Sequence, residues 1–429
     1  MPDENSPRKR SSAAARRRRA RLRRKKMIRR RLILTGFGVF LFIMILVLAS
    51  LISSCVKKHN SGSAETPEAG QTAPFVPDEE ATPKETAGSQ TEAQAEPDKA
   101  QPPVSLTVSV VGDCTLGKDE SFDYDTSLNA FYDNYGSEYF MQNVKSIFEA
   151  DDLTIANNEC TYTESTDRRD RQFCFKAPAS YAKILADGDI EAVNLSNNHL
   201  LDYGQQGVDE TKEALAAQNI VYFGSVVTDG PDQTAMMEVK GVKIGLVGTY
   251  VLNEYLDIAP EMKSNIEKMR AEGAQIVIVI LHWGEELDQY PDEVQYALGR
   301  MAVDYGADLV CGHHAHVIQG IETYKGKNIC YGLANFCFGG NPWPTEMDTF
   351  IYQQTFTIEN GQLVNDNVVN LIPCSVSSDY SYNNYQPTPQ TGEDADRIME
   401  KLRERSANMD FAESDSYDYF NRPDNGAVN

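Results

Sequence analysis

Histidines that could bind a metal ion are concentrated in three short motifs of the chain. Five of the six histidines lie in Asn-Asn-His at 197–199, His-Trp-Gly-Glu at 282–285 and Gly-His-His-Ala-His at 312–316. Each motif follows an apolar run of the kind that forms a buried strand. Neutral imidazole is a common metal ligand, and strand ends can converge at one edge of a sheet, so the pattern favours a metal site. Taken singly, each histidine could instead complete a hydrogen-bond network beside a loop.

Acidic side chains follow other predicted strands and add oxygen ligands at the same edge. Asp113 comes after the apolar run 106–111, and Glu159 comes after the run 153–157. Open α/β folds place their sites at the carboxyl edge of the sheet. Mixed ligation by histidine, amide and carboxylate suits Mn²⁺, Fe²⁺ or Zn²⁺ better than Ca²⁺, which prefers oxygen. We therefore expect one or two divalent ions of this kind.

His199 stands beside Asn198, the candidate amide ligand, and is free for another task. Two ions about 3.5 to 4 Å apart could activate water for a displacement at phosphorus or at an acyl carbon. His199 would then donate a proton or a hydrogen bond to the reacting oxygen. The chemistry predicted is metal-dependent hydrolysis.

The elements that must position these residues alternate between apolar runs and helical patterns from about Leu106 to about Pro373. The predicted strands are 106–111, 153–157, 192–195, 242–248, 275–281, 308–311 and 328–332, with a hairpin of 350–358 and 363–372 around Asn360-Gly361. The predicted helices are 138–150, 180–186, 208–218, 260–271 and 292–305. Runs that are apolar throughout, such as 276–281, are typical of a sheet covered on both faces. The predicted fold class is α/β.

Composition divides the chain into six segments. They are a basic tail at 1–31, an apolar run at 32–54, a stalk rich in Pro, Glu, Ala and Thr at 55–104, the α/β domain at 105–375, an extension at 376–411 with a packing helix near 393–406, and a tail at 412–429. The stalk and the last tail cannot bury a core and are predicted to be disordered. Seven of the eight cysteines fall in the α/β domain, an odd number, so at least one lacks a disulfide partner there.

The N-terminal segments predict a membrane anchor. The basic tail at 1–31 carries fifteen Lys or Arg against Asp3 and Glu4, and the apolar run at 32–54 carries no charge. As a helix, this run reaches about 35 Å and exceeds the roughly 30 Å of a hydrocarbon core. The positive-inside rule leaves the N-terminus in the cytoplasm and the domain outside, as a single-pass protein of the cell membrane. A lipoprotein modified at Cys55 is the alternative.

The rest of the chain is strongly acidic. Without the basic tail, 25 of the 40 basic and 61 of the 63 acidic side chains remain, which gives a formal charge of −36. Such a surface repels polyanions, so nucleic acid is not an expected partner, and the basic tail is more simply an orientation signal. An anionic substrate must be recognised at the metal ions, which can make one cleft locally positive.

The motifs taken together resemble those of the capsule-synthesis CapA/PgsA family. The resemblance is carried by Gly112-Asp113 with Leu116-Gly117, Asn158-Glu159, Asn197-Asn198-His199 with Asp202-Tyr203-Gly204, His282-Trp283-Gly284 with Glu286, Gly312 to His316 with Val317 and Gln319, and Tyr331-Gly332-Leu333 with Asn335-Phe336. That family contains membrane-anchored bacterial proteins of poly-γ-glutamate production. The resemblance implies a layered sandwich with mixed sheets, similar to calcineurin-like metallophosphatases, over about Leu106 to Pro373.

The resemblance also implies roles for nine residues. The metal-ligand positions would be Asp113, Glu159, Asn198, His282, His314 and His316, the catalytic histidine would be His199, and the substrate-binding residues would be Asn335 and Trp283. Packing explains Trp283 equally well, and His313 is expected to serve structure. The chain departs from the phosphoesterase pattern at Asp113, which lacks the usual Asp-x-His pair. One metal ion could therefore bind weakly or not at all.

Three functions are compatible with the sequence. The first is a metal-dependent hydrolase or transferase that acts on a capsule polymer of the poly-γ-glutamate type. The second is a non-catalytic subunit of a membrane complex for capsule synthesis or export, which uses a metal-organised cleft to bind an anionic envelope polymer. The third is a general cell-envelope phosphoesterase. The predicted fold does not separate them, because one scaffold hosts many functions.

Overall fold

The computed structural model describes residues 102–227, 230 and 232–407. The predicted basic tail, the apolar run and the final tail lie outside these residues, as does nearly all of the stalk. Within the described part, no helix is both long and apolar enough to cross a membrane.

Sixteen strands are present in the described part of the chain. They are β1 (Val104–Thr115), β2 (Leu153–Asn158), β3 (Thr161–Tyr162), β4 (Lys176–Ala177), β5 (Ala192–Asn194), β6 (Val221–Phe223), β7 (Thr234–Val239), β8 (Val242–Tyr250), β9 (Ile276–His282), β10 (Leu309–His313), β11 (Ile321–Tyr324), β12 (Lys327–Cys330), β13 (Asn335–Phe338), β14 (Asp348–Glu359), β15 (Gln362–Ser375) and β16 (Thr388–Pro389). The α-helices are α1 (Leu128–Tyr135), α2 (Glu138–Met141), α3 (Lys145–Phe148), α4 (Lys183–Asp187), α5 (Gly204–Ala217), α6 (Ala259–Ala271), α7 (Glu293–Asp304) and α8 (Gly392–Ala407).

Two large sheets account for most of these strands. The first has the order β16-β15-β14-β1-β2-β5-β6, with β13 also paired to β1. In it β1, β2, β5 and β6 run parallel, whereas β14 and β15 are antiparallel to their neighbours. The second has the order β11-β12-β10-β9-β8-β7, with antiparallel strands only at its two edges. Both sheets are mixed, as predicted.

The side chains of β9 explain how the sheets stack. Ile276, Ile278 and Ile280 lie in a core cluster shared with the first sheet, whereas Val277 and Val279 lie in a cluster with α6 and α7. Successive side chains of a strand point to opposite faces, so a strand that is apolar throughout is buried on both. Each such side chain contributes about 1.5 to 3 kcal/mol by burial. A third cluster joins α1 to α5 to the outer face of the first sheet, which completes a four-layer sandwich of helices, sheet, sheet and helices.

One predicted helix is wrong in its extent. The run 138–150 forms two short helices, α2 and α3, instead of one. Between them the backbone tightens, since the amide of Val144 donates to the carbonyl of Met141, three residues earlier, at 3.0 Å. The side chain of Asn143 in this turn donates to Thr388 at 2.9 Å. A tertiary contact has therefore overridden the helical pattern.

The predicted hairpin and the predicted C-terminal helix are both present. β14 and β15 pair as an antiparallel hairpin along their length, from Asp348 opposite Ser375 to Glu359 opposite Gln362, on either side of Asn360-Gly361. In α8, Ile398 and Leu402 are fully buried in the core between the sheets. Arg405 from the same helix donates to the carbonyl of Ile318, and α8 contacts β15 of the first sheet and β11 of the second.

Candidate metal centre

The carboxyl ends of strands from both sheets meet at one edge of the sandwich. Asp113 lies near the end of β1, Glu159 directly follows β2, and His282 ends β9. β1 can lie close to the residues before β13 because Gly112 has no side chain. A Cβ there would lie 2.2 Å from the carbonyl oxygen of Ala334. The edge predicted to hold the site is therefore the edge at which these side chains converge.

The turn after β10 carries two histidines in an uncommon backbone conformation. His314 has φ 87 and His316 has φ 56, both in the left-handed region that residues other than glycine seldom adopt. The turn is held by the amide of Leu287, which donates to Ala315 at 2.7 Å. Backbone strain of this kind persists where the surrounding structure fixes it, often at functional sites.

Glu159, His314 and His316 form the compact part of the site. One potential ligand atom from each lies within 4.8 Å of the others. Burial, together with the negative charge of Asp113, raises the pKa of Glu159 well above its usual value. Burial lowers the pKa of His314 to about 3, so its imidazole is neutral at neutral pH, the form that binds metals.

His282 and Asn198 extend this cluster on the side of Glu159. The Nε2 atom of His282 lies 3.6 Å from Oε1 of Glu159 and 2.8 Å from Oδ1 of Asn198. When the side-chain amide of Asn198 is rotated by half a turn, its nitrogen donates to Nε2 of His282 and to Oε1 of Glu159. The orientation with Oδ1 of Asn198 facing His282 suits a bound cation. The rotated orientation instead gives His282 and Glu159 hydrogen bonds from the amide nitrogen.

Two buried atoms of the cluster have no hydrogen-bond partner within the described residues. They are Oε2 of Glu159 and Nδ1 of His314. A buried polar atom without a partner costs about 1 to 3 kcal/mol, so such atoms call for an explanation. A divalent ion would satisfy them, and the set of imidazole, carboxylate and amide donors fits a first-row ion.

Asp113 lies beside this cluster and is surrounded by donors. Its Oδ2 is 3.1 Å from Nδ1 of His316 and 3.3 Å from the amide of His314, and its Oδ1 accepts from Asn157 at 2.8 Å. Burial raises its pKa, but hydrogen bonds and charge from His313 and His316 outweigh burial, so the pKa lies well below its usual value. These contacts hold the carboxylate of Asp113 beside the ring of His316.

His199 is oriented by the carboxylate of Asp202, a residue for which the sequence predicted no role. Nδ1 of His199 lies 2.6 Å from Oδ2 of Asp202, and Oδ1 of Asp202 accepts from Arg171 at 3.1 Å. The acceptor fixes the proton on Nδ1 and leaves Nε2 available for chemistry. The spacing Asn-His-x-x-Asp, which places Asp202 three residues after His199, is the sequence signal that could have identified Asp202. Nothing in the sequence pointed to Arg171.

The two predicted substrate-binding residues occupy different surroundings. Trp283 is fully buried and donates through Nε1 to the carbonyl of Tyr331 at 2.9 Å, which fits packing and not contact with a substrate. Asn335 is buried too, and its Oδ1 lies 2.9 Å from Nδ1 of His316, so it helps to orient that ring. His313 lies 3.1 Å from Asp113 through Nδ1, outside the compact cluster.

Comparisons with known proteins point to one family. The profile of the family described as bacterial capsule synthesis protein PGA_cap matches residues 107–340. The PGA biosynthesis protein CapA of Bacillus subtilis is 32% identical over 263 residues, which cover 58% of this chain and 67% of that protein. The capsule biosynthesis protein CapA of Bacillus anthracis is 27% identical over 296 residues, covering 64% of this chain and 69% of that protein.

A likeness to solved structures is weaker. A 5'-nucleotidase precursor from Thermus thermophilus superimposes with a TM-score of 0.38 and 12% identity, over 70% of this chain and 58% of that one. At such a low score the likeness does not indicate an activity.

Proposed function

Since this chain belongs to the family of bacterial capsule synthesis proteins described as PGA_cap, we propose that it acts on a capsule polymer of the poly-γ-glutamate type through a metal-dependent hydrolase site. The observation that carries the proposal is the cluster of Glu159, His314 and His316 next to His199. The layered sandwich with two mixed sheets is in accord with a metallophosphatase-type scaffold, and that assignment is part of the proposal.

The ligand set follows from the geometry. Glu159, His314 and His316 would hold a divalent ion, and His282 and Asn198 would complete its surroundings. A bound ion of this kind supplies Lewis-acid polarisation of a phosphoryl or acyl oxygen. Nδ1 of His316 lies 3.1 Å from Asp113, which would hold the orientation of that ring.

His199 would move the proton. Asp202 holds its Nδ1, and Nε2 lies 3.3 Å from the side-chain amide of Asn198, which places the free nitrogen beside the metal ligands. Burial lowers the pKa of His199, against the influence of Asp202, so the neutral ring predominates at neutral pH. A neutral imidazole in this position accepts a proton from an attacking nucleophile and returns it to the leaving group.

A non-catalytic role in binding the polymer is the second candidate. It is favoured by Asp113, whose oxygens are engaged with donors and which is followed at the second position by Thr115 instead of histidine. A site with one ion could organise a polymer segment without cleaving it. A general cell-envelope phosphoesterase is the outcome to be expected if phosphodiesters alone are hydrolysed.

We also propose a location in the cell for the protein. A span at 32–54 preceded by fifteen basic residues would anchor the chain in the cytoplasmic membrane with the domain outside. Its partners there would be membrane subunits of a capsule synthesis or export complex and the anionic polymer itself.

The decisive experiment compares two histidine variants of the full-length chain in mild detergent. His199→Ala should retain the metal and the fold but lose roughly 10² to 10⁴ in rate on γ-glutamyl or phosphodiester substrates, the usual contribution of a positioned acid or base. His282→Ala should lose metal and activity together. The same variants can be scored in cells by capsule production. Normal capsule with His199→Ala but not with His282→Ala would favour the binding role over catalysis.

A further inference from the structure

A short loop rich in arginine is fastened to the candidate metal centre. The amide of Arg169 donates to the carbonyl of Asp202 at 2.8 Å, and the guanidinium of Arg171 donates both to the carbonyl of Asn198 and to the carboxylate of Asp202. We call residues 166–172 the arginine loop. Its position is therefore fixed relative to His199 and to the metal ligands.

The three arginines of the arginine loop have different surroundings. Arg168 pairs with Asp119 at 2.9 Å and donates to three carbonyls of the loop, those of Arg169, Arg171 and Gln172. Arg171 is 30% exposed and is shared with Asp202. Arg169 is exposed, and its guanidinium has no partner among the residues that the structure describes. Arg168 and Arg171 are thus engaged within the protein, whereas the exposed guanidinium of Arg169 is available to a ligand.

Arg169 and Arg171 are held by bonds to the loop that carries His199. Arg171 bonds to Asn198 and Asp202 through its guanidinium, and Arg169 bonds to Asp202 through its backbone amide. Burial raises the pKa of Tyr250, whose ring lies 6.4 Å from that of His282, and the positive charges of Arg171 and Arg169 oppose that shift. An exposed arginine is usually no more than a solvated side chain. This one differs because its backbone is tied to the loop that carries His199.

The charge of the whole chain makes this placement informative. Beyond the basic tail at 1–31 the chain carries 61 acidic side chains against 25 basic ones, so the surface repels anions in general. Within this acidic surface, the arginine loop supplies the half-buried guanidinium of Arg171 and the exposed guanidinium of Arg169. A guanidinium is planar and offers paired donors that match a carboxylate or a phosphate.

We propose that Arg169 and Arg171 form a binding site for carboxylates of an anionic polymer and hold the polymer over the candidate metal centre. The choice of a carboxylate polymer rests on the proposed function. Arg169 provides the accessible contact, while Arg171 also positions Asn198 and Asp202. Phosphate groups share the same recognition chemistry, and the experiment must separate the two.

The test is a binding measurement on the full-length chain in detergent. The probe is a fluorescent γ-linked oligoglutamate, and the comparison polymers are polyphosphate of equal charge and a neutral γ-linked oligoglutamine. Arg169→Gln should weaken binding of the oligoglutamate by about tenfold, the loss of one charged hydrogen-bonded contact. Arg169→Lys should lose less, because it keeps the charge without the paired donors. Arg403→Gln, a control at an exposed arginine of α8, should bind like the unaltered chain.

Several outcomes would overturn the proposal. They are unchanged binding with Arg169→Gln, no binding of the oligoglutamate by the unaltered chain, and tighter, equally arginine-dependent binding of polyphosphate. The melting temperature of Arg169→Gln should stay unchanged, since a structural role would lower it. Repeating the titration in the His199→Ala background separates this proposal from the hydrolase, because binding should persist there whether or not the site is catalytic.

Discussion

Two neighbouring histidines, His313 at the end of β10 and His314 in the turn after it, have different surroundings. His314 contributes a ligand atom to the compact cluster, whereas His313 contacts Asp113 at 3.1 Å behind it. His314→Ala in the full-length chain should abolish metal binding, measured by elemental analysis after purification without chelator. His313→Ala is the matched control and should retain most of the metal. Equal loss in both variants would show that the ligands are wrongly assigned.

At the scale of residues, the sequence predicts which positions gather and misses how some of them act. Glu159, His282 and His314 come together because each lies at the end of a strand or directly after it, and strand ends can be predicted from apolar runs. Asp113 was predicted as a metal-ligand position, and its residue type does not separate a ligand from a carboxylate that supports one. The donors around it, such as Asn157, are known only from the structure.

At the scale of elements, the approach of β10 to the loop after β9 depends on Gly312. A Cβ there would lie 2.2 Å from Nε1 of Trp283 and 2.2 Å from the carbonyl oxygen of Tyr331. Gly312→Ala should lower the free energy of unfolding by about 1 to 3 kcal/mol, as overpacking does, and should weaken metal binding by moving His314. Chemical denaturation and metal titration measure the two effects.

Gly326→Ala provides the control for that experiment. Gly326 has φ +77 with open space around it, so alanine there should cost about 1 to 2 kcal/mol of backbone strain without touching the site. If Gly326→Ala weakens metal binding as much as Gly312→Ala, the effect comes from general destabilisation and the proposed coupling is wrong.

The elements were predictable where hydrophobic pattern decides them and not where tertiary contacts do. β9 is apolar at every position before its final histidine because both of its faces are buried, and its pattern predicted this. The run 138–150 has a helical pattern but breaks at Val144, where contacts with β16 replace one continuous helix. A single sequence contains no signal for a contact between side chains as far apart along the chain as Asn143 and Thr388.

At the scale of the whole molecule, the two ends of the first sheet have different electrostatic roles. Opposite the candidate metal centre, burial raises the pKa of Asp151 to about 6 and that of Glu191 to about 7. Their folded-state pKa values exceed the unfolded ones, near 4, so ionisation disfavours the folded state. The free energy of unfolding should therefore fall as the pH rises from about 4 to 7 because of these groups.

The check compares the full-length chain with Asp151→Asn and Glu191→Gln in urea denaturation at pH 5 and pH 8. Each variant should be stabilised relative to the unaltered chain at pH 8 and much less so at pH 5. The comparison within one pH cancels the contributions of other carboxylates. A variant less stable at pH 8 than at pH 5, relative to the unaltered chain, contradicts the sign.

The predicted topology is also a property of the whole molecule. If fifteen basic residues keep the N-terminus inside, protease added to intact cells, or to protoplasts, should remove the domain and spare the tail. Antibodies against the two ends provide the measurement. Protection of the domain would sink the assignment.

The seven described cysteines are all buried and all free. Burial raises the pKa of Cys114 to about 12, and the reactive thiolate is correspondingly scarce in the folded protein. A thiol reagent can therefore modify these cysteines only when the core opens. The labelling rate of each cysteine therefore measures how often the part of the core around that cysteine opens.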